Sequence, residues 1–306
     1  MVAYAAGRIA LLIPTLIGVS LLIFGVMKLI PGDPAEIIGG MDASDEDREA
    51  IRRRLGLDKP LYVQYLTFVG GALQGDFGES TRSRRPVTDE LRLRLPETLK
   101  LAVASMVLAT VIGVALGVFA ALRPYSLWDN LSMAVAISGV STPVFWLGLM
   151  LILFFSVYLR WLPTSGSGGF SHLVLPAVTL AAGSSAIIAR QMRADLMEVM
   201  HVDYIRTARA KGLAEQLVVG RHAVRNALIP TVTVVGLQFG HLLAGAVITE
   251  TVFAWPGVGR LLVDAIKYRD FPVVQATILV LAAMFVVVNL AVDLLYFALD
   301  PRIRMS

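Results

Sequence analysis

Residues 203–212 read Asp203-Tyr-Ile-Arg-Thr-Ala-Arg-Ala-Lys-Gly212. This polar, basic stretch lies between two apolar runs, approximately Leu173–Ala189 and Leu228–Phe253, whose length suits a bilayer crossing. Its composition predicts about two turns of helix. Asp203 is expected to cap the start, its carboxylate accepting a hydrogen bond from a free N–H of the first turn. Gly212 is expected to end the helix in a left-handed conformation. Helical spacing puts Tyr204, Ala208 and Lys211 on one face and Arg206 and Arg209 on another. Spanning a membrane does not require such a rod, whose side chains are available to something outside the bilayer.

Four more apolar runs flank this region, approximately Ile9–Ile30, Thr98–Leu122, Leu131–Leu159 and Val274–Leu299. Leu173–Ala189 is the weakest of the six, being short and rich in Gly and Ser. The chain is 56% hydrophobic and 16% charged, against about 25% charge for an ordinary soluble domain. Its mean hydropathy is +0.71. The expected fold class is therefore all-α, a polytopic membrane protein with six transmembrane helices. The first run exceeds the roughly 7–15 apolar residues of a cleaved signal peptide, and Ile30-Pro-Gly-Asp-Pro34 reads as a helix stop and turn. The sequence holds no cysteine, which excludes disulfides and thiolate chemistry. The formal charge of +4 comes from basic residues that flank apolar runs with no recognition motif, so nucleic acid is not an expected partner.

Orientation follows from the loop cations. Arg190, Arg193, Arg206, Arg209, Lys211, Arg221 and Arg225 form the densest basic segment, and with six spans Arg8, Arg123, Arg302 and Arg304 fall on the same side. Both termini and residues 203–212 are therefore expected in the cytoplasm. Arg260, Lys267 and Arg269 then lie outside, partly offset by Asp264 and Asp270.

Three regions result: residues 1–30 with the first span, an extracytoplasmic segment 31–96, and a core 97–306 with five spans and the helix near 203–212. In the outer segment, Ser44-Asp-Glu-Asp47 reads as an N-cap followed by an acidic first turn, with Arg52-Arg-Arg54 closing the helix before Gly56. An aromatic stretch with Tyr62, Tyr65 and Phe68 follows. The segment is expected to be a small cap on the outer membrane face, and also a surface that meets a substrate-delivering protein. Pro14, Pro143, Pro176 and Pro230 fall inside spans. Ser138-Gly-Val-Ser-Thr-Pro143 combines small residues with a kink, which suits either close helix packing, the expected role, or a moving hinge. No internal repeat of the secondary-transporter kind is visible.

A nucleotide-binding P-loop needs Gly-Lys followed by Ser or Thr. Lys28, Lys59, Lys100, Lys211 and Lys267 all follow residues other than Gly, so energy is not expected from a P-loop in this chain. Ionisable residues at membrane depth are sparse, namely His241, Glu250 near the outer end, and Asp293. An external motor acting at 203–212 explains more than a proton relay.

Asp203–Gly212, followed by Arg225-Asn-Ala-Leu-Ile-Pro230, resembles the coupling motif of binding-protein-dependent ABC importer permeases, in particular the dipeptide, oligopeptide and glutathione subfamily. The general motif opens with Glu-Ala-Ala where this chain has Arg206-Thr-Ala208, and its Gly-to-Pro spacing is shorter; both departures resemble the peptide subfamily. Ile30-Pro-Gly-Asp-Pro-Ala35, Leu55-Gly-Leu-Asp-Lys-Pro-Leu61, Gly75-Asp-Phe-Gly78, Trp161-Leu-Pro163 and Glu250-Thr-Val-Phe-Ala-Trp-Pro-Gly257 extend the likeness along the whole chain, in the manner of that subfamily's first permease subunit. The resemblance implies a type I importer fold in the bacterial inner membrane. It implies a second homologous permease, two ATPase subunits that bind ATP and Mg, and an extracytoplasmic substrate-binding protein, with no cofactor in this chain. It also implies a coupling role for Asp203, Tyr204, Arg206, Thr207, Ala208, Arg209, Lys211 and Gly212.

No catalytic or metal site is expected. Gln238 and His241 lie three apart on the fifth span, as Asn289 and Asp293 lie four apart on the sixth, so each pair is expected to share a face and line the pathway. Structural interhelix bonding is the competing role. Glu250 is expected to be an anchor at the outer interface. A nickel or opine permease of the same family stays open, with His172 and His241 the histidines placed outside or in the membrane. From another class, an intramembrane hydrolase would need a nucleophile and base in reach; Gly166-Ser-Gly168 lies in a short outer loop with no suitable histidine following.

Overall fold

The computed structural model describes residues 2–29, 35 and 44–299. The helices are α1 (Val2–Leu29), α2 (Asp45–Leu55), α3 (Leu61–Leu73), α4 (Val87–Ala121), α5 (Leu127–Ser141), α6 (Val144–Leu151, continued by a π-helical stretch Ile152–Tyr158), α7 (Phe170–Val199), α8 (Asp203–Ala210), α9 (Arg225–Val252, preceded by a turn at Glu215–Leu217 and a π stretch Val218–Val224), α10 (Val258–Lys267) and α11 (Phe271–Leu299). Among the described residues there is no strand, only an isolated bridge between Glu79 and Pro86. Among the described residues, five helices are long and apolar enough to cross a membrane, or six if a bent pair counts as one span. The expected turn at residues 30–34 and the C-terminal Arg302 and Arg304 lie outside the described residues.

The chain divides into two compact units, Met1–Pro96 with Gly257–Val286, and Glu97–Pro256 with Val287–Ser306. In the first, Val87 and Leu91 of α4, Val258 and Leu261 of α10, and Val273 and Val274 of α11 form the core. Asp270 closes a loop over it, accepting hydrogen bonds from the Ser80 hydroxyl at 2.5 Å and the Thr81 N–H at 3.1 Å. Helix α2 has the expected ends. Ser44 Oγ accepts the Asp47 N–H, Asp47 Oδ2 accepts the Ser44 N–H, and Gly56 is left-handed at φ 66°. The Ser44 hydroxyl and N–H together hold the Asp47 carboxyl below its ordinary pKa.

The second unit is built around α7. Expected to be the weakest span, it is the best buried, with 67% of its apolar window inside the chain. Its Gly, Ala and Ser lower the hydropathy because they face helices rather than lipid, where small side chains allow backbones to approach. The same close approach appears on its neighbours. A Cβ on Gly117 would lie 2.6 Å from the Ala189 carbonyl oxygen, and one on Gly139 2.7 Å from that of Ala182. Of the small residues before Pro143, Gly139 serves this close packing, while Ser138 and Ser141 are exposed. Gly117→Val is expected to force α4 and α7 apart at a cost of about 1–3 kcal/mol, read as a lower midpoint for thermal aggregation in detergent.

Two expected boundaries change. The run Leu131–Leu159 is not one helix, because α5 and α6 meet at 106°. Thr142 is extended at ψ 124° ahead of Pro143, since the proline ring disfavours helical geometry in the preceding residue. Helix α7 continues past Ala189 to Val199, taking Arg190 and Arg193 out of the expected loop.

Candidate functional site

Helix α8 opens without a side-chain cap. Val202 holds the extended N-cap position and Asp203 is the first helical residue, so the expected capping bond is absent. The Asp203 carboxylate instead lies 3.7 Å from Arg206, in the first turn, where the helix dipole favours negative charge. Gly212 ends the element as expected, with φ 78°. Its N–H donates to the Arg209 carbonyl at 2.9 Å.

The helix is amphipathic, and its buried face is Ile205 with Ala208. They sit on Met192 and Leu196 of α7, Val218 and Ala223 of the π stretch, and Ala227 of α9, all in one buried cluster. Ala208 therefore belongs to the seat beneath the helix, not to the face shared with Tyr204 and Lys211. Asp203, Tyr204, Arg206, Thr207, Arg209 and Lys211 are exposed.

Polar ties fix both ends. Asn226 Nδ2 donates to the Tyr204 hydroxyl at 2.9 Å and to the His222 carbonyl at 2.8 Å. Arg209 makes two hydrogen bonds to Glu215, at 2.6 and 3.1 Å. Those bonds raise the Arg209 pKa above its ordinary value, so the guanidinium stays charged at any physiological pH.

Beneath the seat, α7 is bound to its neighbours. Arg193 donates from Nε and Nη2 to the two oxygens of Asp129, both at 2.6 Å. Asp129 is 2% exposed and also accepts the Tyr125 N–H at 2.9 Å. Two residues on, Asp195 accepts from Thr231 of α9 at 3.0 Å and from Gln191 at 2.8 Å. Sequence reasoning missed Ile205, Asn226 and the Asp129–Arg193 pair. The available signal is a lone acid just inside one apolar helix, Asp129, and an arginine near the end of another, Arg193.

The pathway candidates do not come together as expected. Gln238 is buried, with Nε2 3.4 Å from the Ser184 hydroxyl of α7, whereas His241 is exposed in the single chain. Three residues of helix turn them about 60° apart, and the edge of the contact with α7 falls between them. Asn289 is half-buried on α11, and the Asp293 side chain lies outside the described residues. Glu250 is fully buried, accepting the Thr98 hydroxyl at 2.7 Å. The Trp255 indole N–H donates to the Glu97 carbonyl at 3.0 Å. Both anchor the same end of the second unit. Among the described residues, no three His, Asp or Glu side chains cluster as metal ligands.

This arrangement has relatives. The binding-protein-dependent transport system inner membrane component family matches residues 113–305. The N-terminal region of such membrane components matches residues 1–102. The chain belongs to this family of binding-protein-dependent ABC importer permeases. The permease is 50% identical over 304 residues to the glutathione transport system permease protein GsiC of Escherichia coli K12, covering 99% of each chain. The corresponding protein of Shigella dysenteriae gives the same figures. Among solved structures, inward-facing forms of the MetNI methionine ABC transporter match 69% of this permease and 96% of their own chain, with TM-scores of 0.57 and 0.59 at 22% and 20% identity. The fold is that of type I ABC importer permeases. The permease is thus a multi-pass inner-membrane transport subunit that works within a complex of other subunits.

Proposed function

We propose that this permease imports glutathione or short peptides by alternating access. The observation that carries the reading is the 50% identity, over nearly the whole of both chains, to a glutathione permease. In this reading a second homologous permease completes the path, two ATPase subunits bind ATP and Mg and do the hydrolysis, and an extracytoplasmic binding protein delivers the solute. Both termini and α8 lie in the cytoplasm, residues 31–96 lie outside, and residues 97–306 form the core. The exposed side chains Tyr204 and Lys211 on one flank of the helix, and Arg206 and Arg209 on the other, meet the motor. The Ile205–Ala208 seat passes its movement to α7 and α9 as one body, which supports a two-state mechanism with nucleotide favouring one state.

Cells lacking the gene, with and without its restoration, are the test, using labelled glutathione, dipeptide, tripeptide and nickel. Restoration is expected to return uptake of glutathione or one peptide class, dependent on an intact ATPase partner. Return of nickel uptake alone would overturn the substrate assignment.

Gln238 is held by α7 while His241 faces outward, so the two make different contributions to the path. His241→Ala is expected to change uptake several-fold with assembly intact, and Gln238→Ala to cost about 0.5–1.5 kcal/mol of stability. Wild-type uptake by both variants in assembled transporter would remove them from the path.

A further inference from the structure

Helix α3 is 13 residues long, with no buried residue. At about 1.5 Å per residue it reaches roughly 20 Å, short of the ~30 Å hydrocarbon core. From Leu61 through Gly75 the chain carries no Asp, Glu, Lys or Arg. Helical spacing gathers Tyr62, Leu66, Val69 and Leu73 within an arc of about 60°. Leu66 and Leu73 are 64% and 84% exposed. Gln64, Thr67 and Gly71 take the opposite side. An apolar stretch of 10–14 residues is ordinarily a buried core helix or a re-entrant or interfacial segment, and α3 has no buried residue.

Its contacts fix the depth. The Tyr65 hydroxyl lies 2.9 Å from Ser20 Oγ of α1, and its ring packs edge-on against Phe24 at 5.6 Å between centroids. Lys28 donates to Gln64 at 2.5 Å. Ser20, Phe24 and Lys28 all lie within the apolar window Leu12–Leu29 of α1. Phe24 is five residues short of Leu29, which puts the Tyr65 ring about 7 Å inside that end of the span. An interfacial helix buries its apolar face about 5–10 Å into the boundary between headgroups and acyl chains. Gln64 Nε2 also donates to the Leu57 and Lys59 carbonyls, pinning the first turn beside the charged Asp58-Lys59 entry.

We propose that α3 is an interfacial membrane helix, with its Tyr62–Leu66–Val69–Leu73 stripe seated in lipid of the leaflet that holds the Leu29 end of α1. The first unit then does more than sit on the membrane. Its α3 is anchored within the leaflet and clamps the end of α1 through Tyr65 and Gln64.

The absence of cysteine from the sequence makes the test direct. Single cysteines are placed at Leu66 on the apolar stripe and Thr67 on the polar side, and carry a nitroxide in the assembled, transport-active complex in lipid nanodiscs. Collision rates are read with oxygen, which concentrates in hydrocarbon, and with chromium oxalate, which stays in water. The oxygen-to-chromium ratio is expected to be at least about threefold higher at 66 than at 67, as for a helix lying in the interface. Leu73→Cys takes the place of Leu66→Cys if the latter fails to assemble. Equal ratios, or greater chromium access at 66, would overturn the proposal. So would shielding of 66 from both reagents, whether it needs the binding protein, which would make the stripe a protein-docking face, or not, which would make it a contact between permeases.

Discussion

Asp129→Ala is expected to be among the most damaging single substitutions in the second unit. It leaves Arg193 without the two 2.6 Å bonds that neutralise it, inside a helix that is otherwise the best-buried span of the chain. The Arg193 side chain keeps 23% of its surface exposed and so regains some solvation, which puts the expected cost at about 1.5–3 kcal/mol, the range for lost hydrogen bonds to a charged group. That is an appreciable share of the roughly 5–15 kcal/mol that keeps a typical protein folded. Tyr125, left-handed at φ 61°, loses the acceptor of its N–H in the same step. The double variant Asp129→Leu with Arg193→Met strands no charge and is expected to recover most of the loss. Thermal aggregation in detergent should rank wild type close to the double variant and both well above Asp129→Ala. A single variant as stable as wild type would mean that the pair holds nothing together.

The second large effect is expected at the seat of α8. Ile205 is fully buried between the helix and α7. Ile205→Asp puts an unpaired carboxylate among Leu196, Met192 and Val218, which costs several kcal/mol unless the helix lifts away. Lifting satisfies the charge and, in the proposed coupling, breaks the connection between α8 and the rest of the second unit. Uptake by the reconstituted complex is expected to fall at least about tenfold, equal to ~1.4 kcal/mol, while ATP hydrolysis continues. Gly212→Val tests the same connection from the other end. The left-handed conformation at φ 78° costs a β-branched residue about 1–2 kcal/mol, and relaxing it re-aims the chain after α8. Parallel loss of hydrolysis and uptake in both variants would show a folding defect instead.

The apolar runs were legible because lipid imposes long uncharged segments whatever the packing, and Gly212 and the Ser44 cap were legible because local chemistry decides them. The features that escaped depend on what packs against what. Helix α7 reads as the weakest span because its small residues face other helices, and hydropathy registers only preference for lipid. The break at Pro143 was visible as a proline, but a proline alone does not set a 106° bend. Asp203 reads as a cap because an acid beside a helix start is a good one; the chain enters one residue earlier, so the side chain lies inside the first turn. Ile205 escapes because a single large apolar residue in a polar segment shows its role only once Met192, Leu196 and Val218 are in place around it. Arg193 read as a loop cation because its partner Asp129 is 64 residues away.

The most direct measurement is cross-linking from the outer face of α8. The chain has no cysteine, so Arg206→Cys carries the only thiol in this subunit, on a side chain 74% exposed at the middle of the helix. In membranes holding the assembled transporter, a short thiol-to-amine cross-linker is expected to join this position to an ATPase subunit, with a yield that changes between ATP-bound and nucleotide-free states. A cysteine at Arg160, in the loop after α6, is expected to give no such product. Cross-linking to the ATPase from Arg160 and not from Arg206 would contradict the account, placing the motor on the opposite side of this permease.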